Sequence, residues 1–394
     1  MFSQFLEFLA ILLLVDFLLL SLVRKFKLPD FFGHIATGLF IGLVGKISST
    51  PGGLLALVAV KQNNPAFSAF IQAGLFFFFF ELGVRATFQL YKENSFRDFR
   101  ALVLNSVSVF VFAISVAVLM KNIGLSTVQI IFLPIAFLSA DIGGLVTSHV
   151  FNPGKLQSKY FDFIKFSAAQ EFIALGALLI FVLATRVTVG QIDFSQILLM
   201  ILGSALFTML ILPSGQKFRQ TYLKGFPLFL IIISILLILV SVLWSLQLSI
   251  LLCGFLAGLA LQCLLSRNQY SGDGLPMSVF RFFMVFPFIS IGISLTGGFN
   301  WALVNLNLLL ILFILITTAF VMGLFWMRYK KDFLTPTLAL LFRGEVTLLI
   351  LYWGFFQQLV RIELLTSTVL IMFVFHFLSR LGILNKIQQE TTAN

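Results

Sequence analysis

Apolar runs of about twenty residues, the length a helix needs to cross the hydrocarbon core of a bilayer, follow one another along nearly the whole chain. Thirteen can be marked, near 4–23, 31–47, 65–84, 99–121, 127–148, 160–185, 191–213, 226–244, 248–265, 277–297, 301–327, 333–356 and 362–383. Lipid offers no water to a backbone N–H or C=O, so runs of this length fold as helices whose hydrogen bonds are internal. Composition points the same way: 60% of the residues are hydrophobic, 50 are Phe and only 10% are charged, with a mean hydropathy of +1.07. The expected fold class is an all-α polytopic membrane protein with about 13 transmembrane helices. Connections are short, so residues 1–394 read as a single transmembrane domain with no soluble regulatory domain. The first run does not read as a cleavable signal, because no Lys or Arg precedes it and Arg24, Lys25 and Lys27 follow at once.

Charge sets the expected orientation. If Arg24, Lys25 and Lys27 are cytoplasmic, thirteen spans put 19 of the 26 Lys and Arg residues on that side and five on the other, namely Lys46, Lys61, Lys121, Arg186 and Arg361. Lys165 and Arg343 then fall inside spans. The bias implies an external N-terminus and a cytoplasmic C-terminus. It also accounts for the net charge of +11 without nucleic acid as a partner, since the positive charges are scattered through short loops on one face.

Two spans are interrupted in matching ways. The fifth contains Ser139, Ala140, Asp141, Ile142, Gly143 and Gly144; the twelfth contains Thr335, Pro336, Arg343, Gly344 and Glu345. Small and polar residues at that depth weaken a helix and leave backbone groups facing a cavity. An offset of seven spans is odd, so the two cross the bilayer in opposite directions. That is the pattern of an inverted repeat with two broken crossing helices, segments 5 and 12. Gly and Pro are also common in ordinary transmembrane helices.

Along most of its length the chain resembles the bacterial monovalent cation:proton antiporters of the second cation-antiporter class, which include the potassium-efflux antiporters and have an Na+/H+ exchanger-like membrane domain. Leu28, Pro29, Asp30, Gly33, His34 and the stretch Gly38 to Gly42 are similar to that family's second helix, and Gly74 to Arg85, with Glu81, Leu82 and Gly83, to its "FLIGLE" stretch. Leu251 to Leu261 resembles its "GAFLAGL" segment, Phe286 to Leu295 its "FFISVGL" segment, and Arg343, Gly344 and Glu345 its "RGE" signature. The resemblance implies a homodimer in the bacterial inner (cytoplasmic) membrane. It implies scaffold helices over about 1–84 and 226–297, moving core helices over about 99–185 and 301–385, and a linker helix near 191–213. It implies secondary exchange of Na+ or K+ for H+, with the ion centre on the sixth segment at Gln170 and Glu171. Two departures stand out: a Glu occupies the position where the family has Asp, and no Lys or Arg lies near Thr317 or Thr318 on segment eleven.

The chemistry of the residues leads to the same function. A charged side chain at bilayer depth costs roughly 2.5–3.5 kcal/mol on insertion scales and is kept mainly where it lines an ion or proton path. Glu171 and Asp141 are such residues. A single acidic site that holds either a proton or a monovalent cation, but not both, produces exchange. Oxygen ligands suit hard cations, so the Gln170 amide, Asp141, Ser139 and carbonyls of a broken helix would assist Glu171. Asp141 has a second reading as an anionic cap on the half-helix beyond it. Arg343 and Glu345, two apart, point to different faces of a helix and read either as charge balance for broken-helix ends or as ion contacts. Lys165 reads as a partner for Asp162 one turn earlier, or as a gate. Asp16, in the middle of segment one, reads as a dimer-interface residue or a second path.

Other features carry less. Glu81 and Arg85 are spaced as a helix-end pair, and His34, His149 and His376 lie far apart with no ligand spacing. Phe76 to Phe80 read as packing or lipid contact, and Cys253 and Cys263 as packed thiols. No triad, phosphate loop or metal motif stands out, so neither an enzyme nor a cofactor is expected beyond the transported cation and proton. Two other functions share the fold. A sodium-coupled organic-anion symporter would want more polar residues at both breaks, and a non-transporting membrane sensor would have an uncoupled centre.

Overall fold

The computed structural model of the chain describes residues 2–26, 28–47, 65–90, 118, 126–138, 173–182, 184–185, 234, 250–261, 275–330 and 344–380. All regular structure among these residues is helical. The helices are α1 (Phe2–Lys25), α2 (Asp30–Ile47), α3 (Pro65–Leu90), α4 (Thr127–Leu138), α5 (Ile173–Val182), α6 (Ile250–Leu261), α7 (Leu275–Leu295), α8 (Trp301–Lys330), α9 (Glu345–Phe356) and α10 (Ile362–Arg380).

The expectation of thirteen spans is met only in part. Among the described residues, two helices are long and apolar enough to cross a membrane, Phe5–Lys25 in α1 and Pro65–Val84 in α3. Shorter apolar helical stretches of 10–17 residues lie in α4, α5, α7, α8, α9 and α10. Of the twelfth apolar run, residues 333–343 lie outside the described residues, and α9 begins at Glu345. The runs near 99–121, 191–213 and 226–244 lie outside the described residues apart from Val118 and Ser234.

The helices belong to two compact units. One comprises residues 1–64, 95–174 and 288–394, the other 65–94 and 175–287. In the first unit α1 and α2 form a hairpin. Its turn is closed by hydrogen bonds from Leu28 N to Val23 O and from Phe32 N to Pro29 O, and by Arg24, whose Nε and Nη2 donate to the two oxygens of Asp30 at 3.0 and 2.7 Å. Gly33 lets the helices approach, since a Cβ there would lie 3.0 Å from the Leu20 Cα. Elsewhere on α2, Gly38 and Gly42 meet the end of α7. A methyl on Gly38 would overlap the Ile289 carbonyl oxygen and stand 2.8 Å from the Gly292 Cα, and one on Gly42 would stand 2.6 Å from Thr296. This is the small-residue contact that brings two helix backbones together where apolar burial alone gives little drive.

Also in the first unit, α8 is tied to α10 by Ser367 Oγ donating to Val304 O at 2.9 Å. Helix α9 packs against α4 and α10 and is buried from Val346 through Gly354, as a helix apolar on every side must be. In the second unit, Gly254 and Gly258 of α6 let it rest on the backbone of α3 at Phe76 and Phe80. Four of the five residues Phe76 to Phe80 are buried there, so this run serves packing. Phe77 stacks on Phe280 of α7 at 4.3 Å and 14°. Cys253 is a buried free thiol, as expected of a packed residue.

The surface of α1 reverses the pattern of a water-soluble helix. Leu14, Phe17, Leu18 and Leu22 are exposed, whereas Asp16 among them is buried. Large apolar side chains facing outward around an inward carboxylate suit a lipid surrounding.

Candidate functional site

Of the residues singled out from the sequence, Ser139, Asp141, Asp162, Lys165, Gln170, Glu171 and Arg343 lie outside the described residues. Glu345 is the first residue of α9. The preceding Gly344 is extended, with φ −118° and ψ −159°, and contributes no side-chain cap. The helix therefore begins at a buried glycine, and the Glu345 carboxylate in the first turn complements the positive end of the helix dipole, a term of about 0.3–1 kcal/mol.

Helix α4 approaches α9 directly. Its start is fixed by a reciprocal cap in which Ser126 N donates to Gln129 Oε1 at 3.0 Å and Gln129 N donates to Ser126 Oγ at 3.2 Å. Phe132 of α4 lies against Trp353 of α9, with ring centroids 6.2 Å apart, and fills the space left by the missing side chain of Gly354. The expected fifth and twelfth segments, marked out by their interruptions, thus pack on one another through their apolar portions. Tyr352, on the same helix, donates its hydroxyl to Ser290 Oγ of α7. Both residues are buried, so one polar group satisfies the other.

A second polar cluster, not anticipated from spacing, joins α1 to α2. Nδ1 of His34 lies 2.8 and 3.0 Å from the two oxygens of Asp16, and Thr37 Oγ1 donates to Asp16 Oδ1 at 2.9 Å. Thr37 Oγ1 is also 3.0 Å from Gly33 O, a second acceptor for the same hydroxyl. Thr37 is fully buried and Asp16 nearly so. Asp16 was read as a dimer-interface residue or a second path, and His34 as one of three isolated histidines; the structure gives each a partner within its own chain. One sequence signal would have paired them. A short turn between two apolar runs makes an antiparallel hairpin, in which Leu20 opposite Gly33 and Asp16 opposite Thr37 are each symmetric about Phe26 and Lys27.

His376 of α10 is also buried. Its Nδ1 is 2.8 Å from the Met372 carbonyl, to which it donates, and its ring meets Phe31 and Phe32 edge-on. Lys46 donates to the Thr296 carbonyl just past the end of α7, a favourable place for a cation. No group of three or more His, Cys, Asp or Glu suited to a metal occurs among the described residues.

A scan against protein-family models finds no match for this chain, and a search of curated proteins finds none either.

Proposed function

We propose that the chain is a secondary antiporter that exchanges Na+ or K+ for H+ across a cytoplasmic membrane, as a homodimer of thirteen-span subunits with inverted repeats. Glu171 carries the proton or the cation in alternation, with Gln170, Asp141 and Ser139 beside it and Arg343 and Glu345 balancing the ends of the broken helices.

The observation that supports this reading is the start of α9 at Glu345 inside an apolar run, on a helix buried on all sides and packed against α4. Transporters of inverted-repeat design build their midplane sites at helix ends set inside apolar runs.

Purified protein in liposomes with an internal pH dye, challenged in turn with Na+, K+ and Li+, tests the reading. At least one cation should drive proton efflux, and Glu171→Gln, which keeps the side-chain size but cannot ionise, should abolish it in folded protein. Exchange by Glu171→Gln at the parental rate would overturn the site. No response of the parental protein to any of the three cations would overturn the activity.

A further inference from the structure

We propose that Asp16, His34 and Thr37 form a proton-binding site within the α1–α2 hairpin, on helices other than the one that carries Glu171. An ionised carboxylate only accepts hydrogen bonds, so with Asp16 ionised the ring nitrogen that faces both its oxygens, Nδ1 of His34, carries a hydrogen. The Thr37 hydroxyl supplies a second donor. The tautomer is thereby set, and the one position left to gain or lose a proton is Nε2 of His34. A metal ion suits this site poorly, because both faces of the carboxylate already receive N–H or O–H donors.

With Nε2 bare, the cluster carries one net negative charge; with Nε2 protonated it is a neutral ion pair. Asp16 is eight residues before Arg24, about 12 Å along the helix, so no charged helix end lies close enough to offset the anion. In a surrounding of low dielectric the charge is felt several times more strongly than in water. Among the described residues of the adjoining helices, most charged or titratable groups have partners of their own, and Lys25 at the end of α1 lies beyond Arg24. Arg24 and Asp30 bind each other at the hairpin turn, Lys46 binds the Thr296 carbonyl, and Glu363 of α10 accepts from Asn300 N. His376 donates to its own helix, and Glu7 lies nine residues before Asp16. Proton uptake converts a hydrogen bond from a neutral ring to a carboxylate into one between opposite charges and tightens the hairpin.

The test uses full-length protein with 15N-labelled histidine in lipid nanodiscs, with ring-nitrogen spectra followed as pH is lowered. Three histidines contribute, and His34→Gln assigns the signal. The expected result is an Nε2 signal of His34 that changes from unprotonated to protonated in one step while Nδ1 stays protonated throughout. In Asp16→Asn the ring should lose this fixed tautomer and show hydrogen on either nitrogen, because an amide can donate to Nδ1 as well as accept from it. Asp16→Glu, which keeps an acceptor-only side chain, should retain the Nδ1 hydrogen. A His34 ring that stays unprotonated at Nε2 while the protein remains folded would overturn the proposal, as would an Nδ1 signal unchanged in Asp16→Asn. If Asp16→Asn does not fold, the parental spectrum decides alone, a hydrogen on Nε2 rather than Nδ1 at high pH counting against the site. The readout does not involve cation exchange, so it stands or falls apart from the assignment of Glu171.

Discussion

Replacing Gly38 by alanine should force α2 and α7 apart. The new methyl would overlap the carbonyl oxygen of Ile289 and stand 2.8 Å from the Gly292 Cα, whereas carbon atoms in comfortable contact are about 3.5–4.0 Å apart. The shortfall is about 1 Å against two backbone atoms, neither of which can swing aside as a side chain would. Overpacking of this kind costs about 1–3 kcal/mol. Alanine also raises the helix propensity by about 1 kcal/mol, which would mask part of the loss. Gly176 of α5 supplies the comparison, because a Cβ there meets nothing within 4 Å, so Gly176→Ala carries the propensity gain without the collision. The stability difference between the two variants is then the packing term, about 1–3 kcal/mol or a five- to more than hundredfold change in the folded-to-unfolded ratio. Unfolding in mixed micelles of rising SDS fraction, followed by the helical circular dichroism signal, measures it. If Gly38→Ala is as stable as Gly176→Ala, the close approach of α2 and α7 at Gly38 and Gly292 is wrong.

Two further substitutions probe polar contacts of opposite burial, in the same unfolding assay. Tyr352→Phe removes a buried donor and leaves Ser290 without it, which should cost about 1–3 kcal/mol; adding Ser290→Ala should recover part of the loss, because no unpaired hydroxyl then remains. Arg24→Gln breaks an ion pair whose side chains are 62% and 50% exposed, so the loss should stay below about 1 kcal/mol and shrink further in high salt.

Much of the helical layout was legible in the sequence, because helix formation answers to local pattern. The runs expected near 4–23, 31–47, 65–84 and 277–297 became Phe2–Lys25, Asp30–Ile47, Pro65–Leu90 and Leu275–Leu295. Lipid-length apolar runs have one way to satisfy their backbone, so element type follows without knowledge of the neighbours. The start of α9 after Gly344 was legible for the same local reason, since glycine beside two charged residues weakens a helix. The candidate ion site was read from residue type and depth, since carboxylates in apolar runs are few and costly.

What the tertiary structure alone decided is which small and polar residues meet. Gly38, Gly42, Gly254 and Gly258 look alike in the sequence, but Gly38 and Gly42 are spent on α7 and the other two on the carbonyls of the phenylalanine run, a choice made by helix pairing. Asp16 and His34 are 18 residues apart and carry no motif; they become one site because the turn at Phe26 folds α2 back along α1 with Gly33 against Leu20, bringing a carboxylate, an imidazole and a hydroxyl to one level. A helix is specified by bonds four residues apart, whereas such a cluster depends on the register of two helices. That register is set by where the backbones can touch, and so only the packed structure contains it.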